Sequence, residues 1–373
     1  MRRRVDHATS QRRLAEPLVF AVELNSHVIG YGETLPRPYV TGETVASVSE
    51  AIAAVYAPIL LQLHPKSFPH ALEGIDALPW SDALGTPTPA ARAAVELALL
   101  DAYARHFHRP ISDAVGWMGL NEFGPDGSLR SVRHSGVLAT ARLDRLKRDL
   151  RLMWWYGLRD FKLKVGDPGD DERLRWASRY LTRASLRVDV NGAWTLDDAI
   201  RRMNDWRDVK LAAIEQPLAR GDDPSLPELK RHLNAPLMHD ESLVTMDDAQ
   251  RLLEMGVADA FNIRISKCGG LMPSLRLAHV ARKHGVLIQL GCMVGETSLL
   301  TAAGRRFLEL VPGVRFAEGS FGGLLLTADV VTRSTRFGYA GKVRALPGCG
   351  WGVDVDRSKL TEFAAADACH IVF

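Results

Sequence analysis

Between residues 161 and 267 the chain repeats one pattern. An apolar run ends in a polar residue, and a stretch of helical period follows. The runs are 161–166 (FKLKVG), 186–194 (LRVDVNGAW), 212–218 (AAIEQPL), 235–242 (APLMHDES) and 260–270 (AFNIRISKCGG). Short apolar runs alternating with amphipathic stretches predict parallel strands joined by helices. The same reading, extended both ways, puts strands at 135–139, 161–165, 186–190, 212–215, 236–240, 260–265, 286–291 and 314–318. Helices are predicted at 140–156 and 171–181, from 195, near 224–232, and from 245, 272 and about 296. About eight such units, spaced near 25 residues, predict a (β/α)8 barrel.

The first third reads differently. Strand character at 18–24, a turn at 25–27 and strand character at 28–33 predict a hairpin. The Pro- and Gly-rich stretch 35–44 (LPRPYVTGET) predicts a loop. Val48, Ile52, Val55 and Ile59 recur at helical spacing. Four prolines across 61–87 predict an irregular segment. Thr88 and Pro89 open a strong helix, with Thr88 as its expected cap and Val95, Leu99, Ala102 and Phe107 on its buried face. The expected fold is α/β: a TIM-like (β/α)8 barrel over 126–334, with an α+β capping domain. That domain is expected to combine residues 1–125 with a returning tail, 335–373, whose end at 370–373 reads as strand.

Composition narrows the class. A chain of 373 residues, 46% hydrophobic and 24% charged, has room for a barrel plus a smaller partner and argues against global disorder. A net charge of +3 does not point to nucleic acid. No apolar run approaches the roughly 18 residues of a membrane span. The basic start MRRR lacks the apolar stretch of a secretory signal. Cys268, Cys292, Cys349 and Cys369 form no C-x-x-C pair, so reduced thiols in a cytoplasmic protein are expected.

The polar residues that end the apolar runs carry the chemistry. Asp189, Glu215 and Asp240 end consecutive predicted strands, 26 and 25 residues apart. Parallel barrel strands present their C-terminal ends on one face, so these carboxylates are expected to converge there. Mutual repulsion favours a divalent cation among them, and oxygen ligands suit Mg²⁺, with Mn²⁺ as the substitute. The competing reading is that each acid caps the following helix or pairs with a lysine. Lys162 and Lys164 alternate with Phe161, Leu163 and Val165, so both face one side of their strand. If that side is the barrel interior, burial and like charge are expected to lower a lysine pKa and allow a neutral amine to act as a base. Lys267 follows the sixth strand, roughly across the barrel; alone it would read as a surface lysine.

With these motifs the chain resembles the enolase superfamily, in its muconate-lactonizing-enzyme-like subgroup. The similarity rests on K-x-K (Lys162, Lys164), D-x-N (Asp189, Asn191), E-Q-P at 215–217, D-E-S at 240–242 and N-I-x-x-x-K-x-G-G at 262–270. The resemblance implies that Mg²⁺ binds a substrate carboxylate and a base removes the α-proton to give an enediolate, a chemistry for which enolase-superfamily sites are a standard example. It implies Lys164 as base on one face, Lys267 as acid/base on the other, Lys162 beside Lys164 or the carboxylate, and Glu241 supporting the metal. Asn191, Tyr39, Arg264 and Glu318 are the expected substrate-binding or supporting residues. Where dipeptide epimerases of the subgroup carry Asp-x-Asp, this chain reads Glu318-Gly319-Ser320. Glu296 is expected only to stabilise a helix N-terminus.

Two lysines suit a racemase or epimerase of an amino-acid derivative or related carboxylate. They also suit a cycloisomerase or dehydratase, and a non-catalytic barrel that binds metal or acid is the reading from another class. The expected partners are a small carboxylate substrate and further copies of the chain in a homo-oligomer.

Overall fold

The computed structural model describes residues 5–7, 10–12, 15–125, 129 and 131–364. The strand expected at 370–373 lies outside the described residues. Two short strands, β1 (Val5–His7) and β2 (Ser10–Arg12), pair with each other, and the hairpin β3 (Leu18–Glu23) and β4 (Ile29–Thr34) follows. Next come α1 (Pro38–Thr41), α2 (Val45–Ala51), a π turn at Ile52–Tyr56 that runs into α3 (Ala57–Leu60), α4 (Phe68–Asp76), α5 (Pro89–His106) and α6 (Asp113–Trp117).

Alternation then sets in. It runs β5 (Gly136–Leu138), α7 (Leu143–Trp155), β6 (Asp160–Lys164), α8 (Asp170–Tyr180), β7 (Ser185–Asp189), α9 (Leu196–Asp205), β8 (Ile214–Glu215) and α10 (Leu226–Lys230). It continues with β9 (Leu237–His239), α11 (Met246–Glu254), β10 (Ala260–Ile263), α12 (Leu271–Lys283), β11 (Leu287–Leu290), α13 (Ser298–Leu310) and β12 (Phe316–Ala317). The short α14 (Gly322–Leu325) and α15 (Arg357–Phe363) complete the described chain.

Strands β5 to β12 form one parallel sheet in chain order. A parallel bridge between His134 and Ala317, with Ser135 N–H donating to Ala317 O at 2.8 Å, joins its two ends and curls it into an α/β barrel. Thr195 caps α9 through Asp198 N–H, and Thr245 caps α11 in a reciprocal box with Asp248, so the sequence's helix openings have local causes.

Three expectations fail in the first third. The stretch 35–44 contains the helical turn α1, started by Pro38 and ended by left-handed Gly42. The segment 61–87 holds α4, because Ser67 caps it and Pro69 falls in the first turn, where a missing N–H costs nothing. Its Phe68, Ala71, Leu72 and Ile75 form a buried stripe. Thr88 does not cap α5 through its side chain; Glu43 does, accepting Ala90 N–H at 2.7 Å and Ala91 N–H at 3.0 Å.

Helix α5 is buried along Pro89–Ala104 because it lies between the hairpin and the barrel. On the hairpin side Gly30 and Gly32 allow contact of backbone with backbone. A Cβ at Gly32 would sit 2.0 Å from Ala94 O, and one at Gly30 2.2 Å from Ala98 O. On the barrel side Glu96 accepts Leu271 N–H at 3.1 Å and Met272 N–H at 2.8 Å, satisfying the start of α12. Glu33 does the same for α13, through Thr297 N–H (2.8 Å), Thr297 Oγ1 (2.6 Å) and Leu300 N–H (2.9 Å). The tail also meets this region: Trp351 donates its indole N–H to Tyr31 O at 2.9 Å, and its backbone N–H to Asp101 at 2.9 Å.

Candidate active site

The acids occupy neighbouring strand ends because the register is tight. Lys164 pairs with Asp189, Asp189 with Glu215, and Glu215 with Met238, two residues before Asp240. All three carboxylates are fully buried. Such groups need partners, since an isolated buried charge is expensive.

Those partners are mostly cations. Lys162 Nζ lies 3.1 Å from Asp189 Oδ2, 3.3 Å from Glu215 Oε1 and 2.8 Å from Glu318 Oε1. Lys164 Nζ donates to the same Asp189 oxygen at 2.9 Å and to Asn191 Oδ1 at 2.6 Å. The shared oxygen places both lysines on one side of β6, facing the barrel interior. At the far end of the row Lys267 donates to Asp240 O at 2.5 Å, Asp240 Oδ1 at 3.0 Å and Asn262 O at 2.9 Å. Arg264 also pairs with Asp240. The acid row is thus bracketed, with Lys164 at the Asp189 end and Lys267 at the Asp240 end.

The electrostatics of the row follow from its charges. Burial alone would lower the Lys162 pKa, but Asp189, Glu215 and Glu318 outweigh it and hold the ammonium well above the ordinary lysine value. Its charged form is the favoured one beside these three acids. Burial likewise opposes ionisation of Asp189, yet Lys162 and Lys164 hold it well below the carboxylate range. Glu215 is pushed up to about 7 by burial and by Asp189. Glu241 is pushed up to about 7 by burial and by Asp240.

Residues 145–359, more than half of the chain, match the family described as enolase C-terminal domain-like. The chain belongs to the enolase superfamily. Within it the chain falls in the mandelate racemase/muconate lactonizing enzyme branch. This superfamily member is 28% identical over 295 residues to a hydrophobic dipeptide epimerase of Enterococcus faecalis, with 78% of each chain covered. It is 29% identical over 355 residues to muconate cycloisomerase 1 of Rhodococcus opacus, covering 92% of this chain and 89% of that one. A muconate lactonizing enzyme structure from Pseudomonas fluorescens matches with a TM-score of 0.84 at 25% identity, over 97% of this chain and 95% of that chain. The protein is an isomerase of the enolase superfamily.

The remaining motif residues of this enolase-superfamily site hold others in place. Asn191 adopts a left-handed backbone (φ 50°), donates its N–H to Asp189 Oδ1 at 3.1 Å and reaches Glu241 Oε1 at 3.2 Å. Gln216, also left-handed (φ 41°), accepts Asp240 N–H at 3.0 Å and Ser242 N–H at 3.1 Å, fixing one acid-bearing turn from the next. Glu318 is saturated by Lys162 and Arg187, which hold its carboxyl below the usual range against burial. Glu296 turns back on its own turn, accepting Met293 N–H at 3.1 Å and Thr301 Oγ1–H at 3.1 Å. Tyr39 sits on α1, 46% exposed, and does not line the cavity beside the site.

Two contributors, Gln289 and Arg187, lie outside the motifs, and a third, Asn262, opens the N-I-x-x-x-K run. Asn262 and Gln289 donate to Glu215 at 2.7 and 3.2 Å, and Arg187 holds Glu318 and Ser135 Oγ from inside the barrel. Each is a polar residue inside an apolar strand run, the same cue that marked the acids.

The donors suited to a hard divalent cation are Asp189, Glu215 and Asp240. Glu241 Oε2 is a buried carboxylate oxygen without a hydrogen bond beside them. Among the described residues no three acidic, His or Cys side chains stand as a ready-made ligating cluster. Lys162, Arg264 and Lys267 contact the acid oxygens. The donor chemistry of the carboxylates fits the cation.

Proposed function

We propose that the protein removes the proton α to a substrate carboxylate in an Mg²⁺-dependent reaction, as a racemase or epimerase of an amino-acid derivative or related carboxylate. The observation that carries this reading is the acid row bracketed by Lys164 and Lys267. A proton lost to a lysine at one end and regained from a lysine at the other inverts a stereocentre. Lys164 is the base at the Asp189 end, and Lys267 is the acid/base at the Asp240 end. Lys162, held cationic, keeps Asp189, Glu215 and Glu318 in place and favours the developing negative charge of the enediolate.

Asp189, Glu215 and Asp240 are the residues that would hold the metal, supported by Glu241. A bound divalent cation would supply Lewis-acid stabilisation of charge on the substrate carboxylate oxygens. The N-terminal module, with Tyr39 on its surface, supports a role as a cap over the barrel mouth, and a homo-oligomer remains part of this proposal.

The test is a set of carboxylic acids incubated with protein and Mg²⁺ in D₂O. The expected result is α-deuterium incorporation that falls by about 10²–10⁴-fold in Lys164→Ala. Exchange undiminished in that variant, or absent across all acids despite tight binding, would overturn the reading in favour of a binding barrel. Inversion of the labelled centre distinguishes racemisation from cycloisomerisation or dehydration, which change the carbon skeleton or lose water.

A further inference from the structure

The two lysines that bracket the acid row are held by different parts of the molecule. Lys164 ends β6, in register with Asp189, and its partners Asp189 and Asn191 are barrel residues. Lys267 belongs to no strand. It sits in the turn between β10 and α12, where Cys268 N–H donates to Arg264 O at 2.9 Å and Gly270 N–H to Ile265 O at 3.0 Å. Gly269 and Gly270 in that turn have φ of 80° and 120°, backbone that other residues rarely adopt.

The N-terminal module grips this turn on both sides of Lys267. Before it, Ser266 Oγ accepts Leu35 N–H at 3.1 Å and shares a hydrogen bond with Thr34 Oγ1 at 2.8 Å. After it, Gly269 O accepts from Arg92 Nη1 at 2.6 Å. Trp80 covers Gly269 so closely that a Cβ there would lie 2.6 Å from its ring, and a Cβ at Gly270 would collide with the Glu96 carboxylate. Glu96 accepts the next two N–H groups, of Leu271 and Met272.

Arg92 is the centre of the grip. It is 1% exposed and lies over the Trp80 ring, 4.7 Å from its centroid. It also donates to Leu78 O at 3.2 Å, Asp76 O at 3.3 Å and Ile75 O at 3.4 Å, all at or just after the end of α4. The planar fork of a guanidinium fixes the direction of each of its bonds. Three carbonyls of the module therefore set where the fork points, and the fourth, Gly269 O, belongs to the turn that carries Lys267. Gly269 is buried, so losing Arg92 leaves that carbonyl unpaired away from water.

We propose that Arg92, backed by Trp80 and Glu96, is a positioning residue for Lys267, so that the N-terminal module governs proton transfer on one face of the substrate and leaves the Lys164 face to the barrel. This rests on the assignment of the two lysines to opposite faces under the proposed function. Proton transfer is sensitive to placement: a shift of about 1 Å costs on the order of 10²-fold in rate.

The test compares wild type, Lys164→Ala, Lys267→Ala and Arg92→Met, each with Mg²⁺ in D₂O and the separate L and D forms of N-acetylleucine, N-acetylphenylalanine and N-acetylarginine. The form whose α-exchange is lost in Lys267→Ala marks the Lys267 face. On that form Arg92→Met is expected to exchange about 10–100-fold more slowly than wild type, and on the other form within about 2-fold of it. Amide exchange read by mass spectrometry is the second measurement. Peptides covering 264–272 should exchange faster in Arg92→Met, and those covering 160–166 should not change. An equal loss on both forms, an undiminished rate on the Lys267 face, or an unchanged turn overturns the positioning role and leaves the proton-abstraction reading in place. No exchange of either form in wild type overturns that reading instead, and the amide measurement alone then decides whether Arg92 holds the turn. If Arg92→Met fails to fold by circular dichroism, Ser266→Ala, which removes the anchor to β4, decides in its place, with an expected loss of about 3-fold on the same face.

Discussion

Two regions bury carboxylates, and they satisfy them in opposite ways. In the barrel mouth Asp189, Glu215 and Asp240 face the side-chain cations Lys162, Lys164, Lys267 and Arg264. At the junction between the N-terminal module and the barrel, Glu33 and Glu96 face backbone N–H groups at the starts of α13 and α12. Side-chain partners can swing away and be replaced by a metal or substrate. Backbone amides of a helix start cannot. On the reading proposed above, the same residue type serves an exchangeable site in one place and a permanent joint in the other.

The comparison can be broken first at Lys162. Lys162→Met leaves Asp189, Glu215 and Glu318 buried without their shared ammonium, which should cost about 3–5 kcal/mol in chemical denaturation. On the proposed reading, in which the acid row holds a divalent cation, millimolar Mg²⁺ should raise the melting temperature of the variant more than that of the wild type. An equal response would mean the acids do not share a cation.

The junction should yield less and respond differently. Glu96→Ala orphans Leu271 N–H and Met272 N–H, at about 1–3 kcal/mol in all, with no recovery on adding Mg²⁺. Recovery would place Glu96 in the cation site.

A change of slope is expected in the pH dependence of stability. Burial, the larger influence, pushes Glu33 and Glu96 up to about 7 against their amide hydrogen bonds. Their folded values lie above the unfolded carboxylate value, so their contribution is complete below about pH 4.5 and is lost as pH rises through about 7. Each group can add at most about 1.4 kcal/mol per pH unit to that slope. Glu33→Gln should flatten the stability profile between pH 4.5 and 7 by one such step, and an unchanged profile would show that Glu33 does not titrate there.

The barrel was legible because its signal is local. Apolar runs of strand length, helix-opening threonines such as Thr195 and Thr245, and an acid at the end of three consecutive strands are each signals confined to a few residues. What stayed hidden depends on contacts between distant segments. Helix α4 was masked by prolines whose cost vanishes in a first turn. The cap of α5 comes from Glu43, far back in the chain, while the adjacent Thr88 turns its hydroxyl to Tyr56 at 3.0 Å. The high pKa of Lys162 follows from three acids on three other strands, and no sequence window contains them together. Gln289 and Arg187 were not legible for a simpler reason: each is a single polar residue inside an apolar strand, outside the motifs that carry the resemblance.

Helix α5 has one more consequence. Gripped by Gly30 and Gly32 on one flank and anchored to α12 by Glu96 on the other, it acts as an axle pinned at both bearings. A swing of the whole N-terminal module would break the Glu96 contacts to α12 and the Glu33 contacts to α13 while leaving the hairpin seated on α5. The amides of α5 should be among the last in the molecule to exchange with solvent.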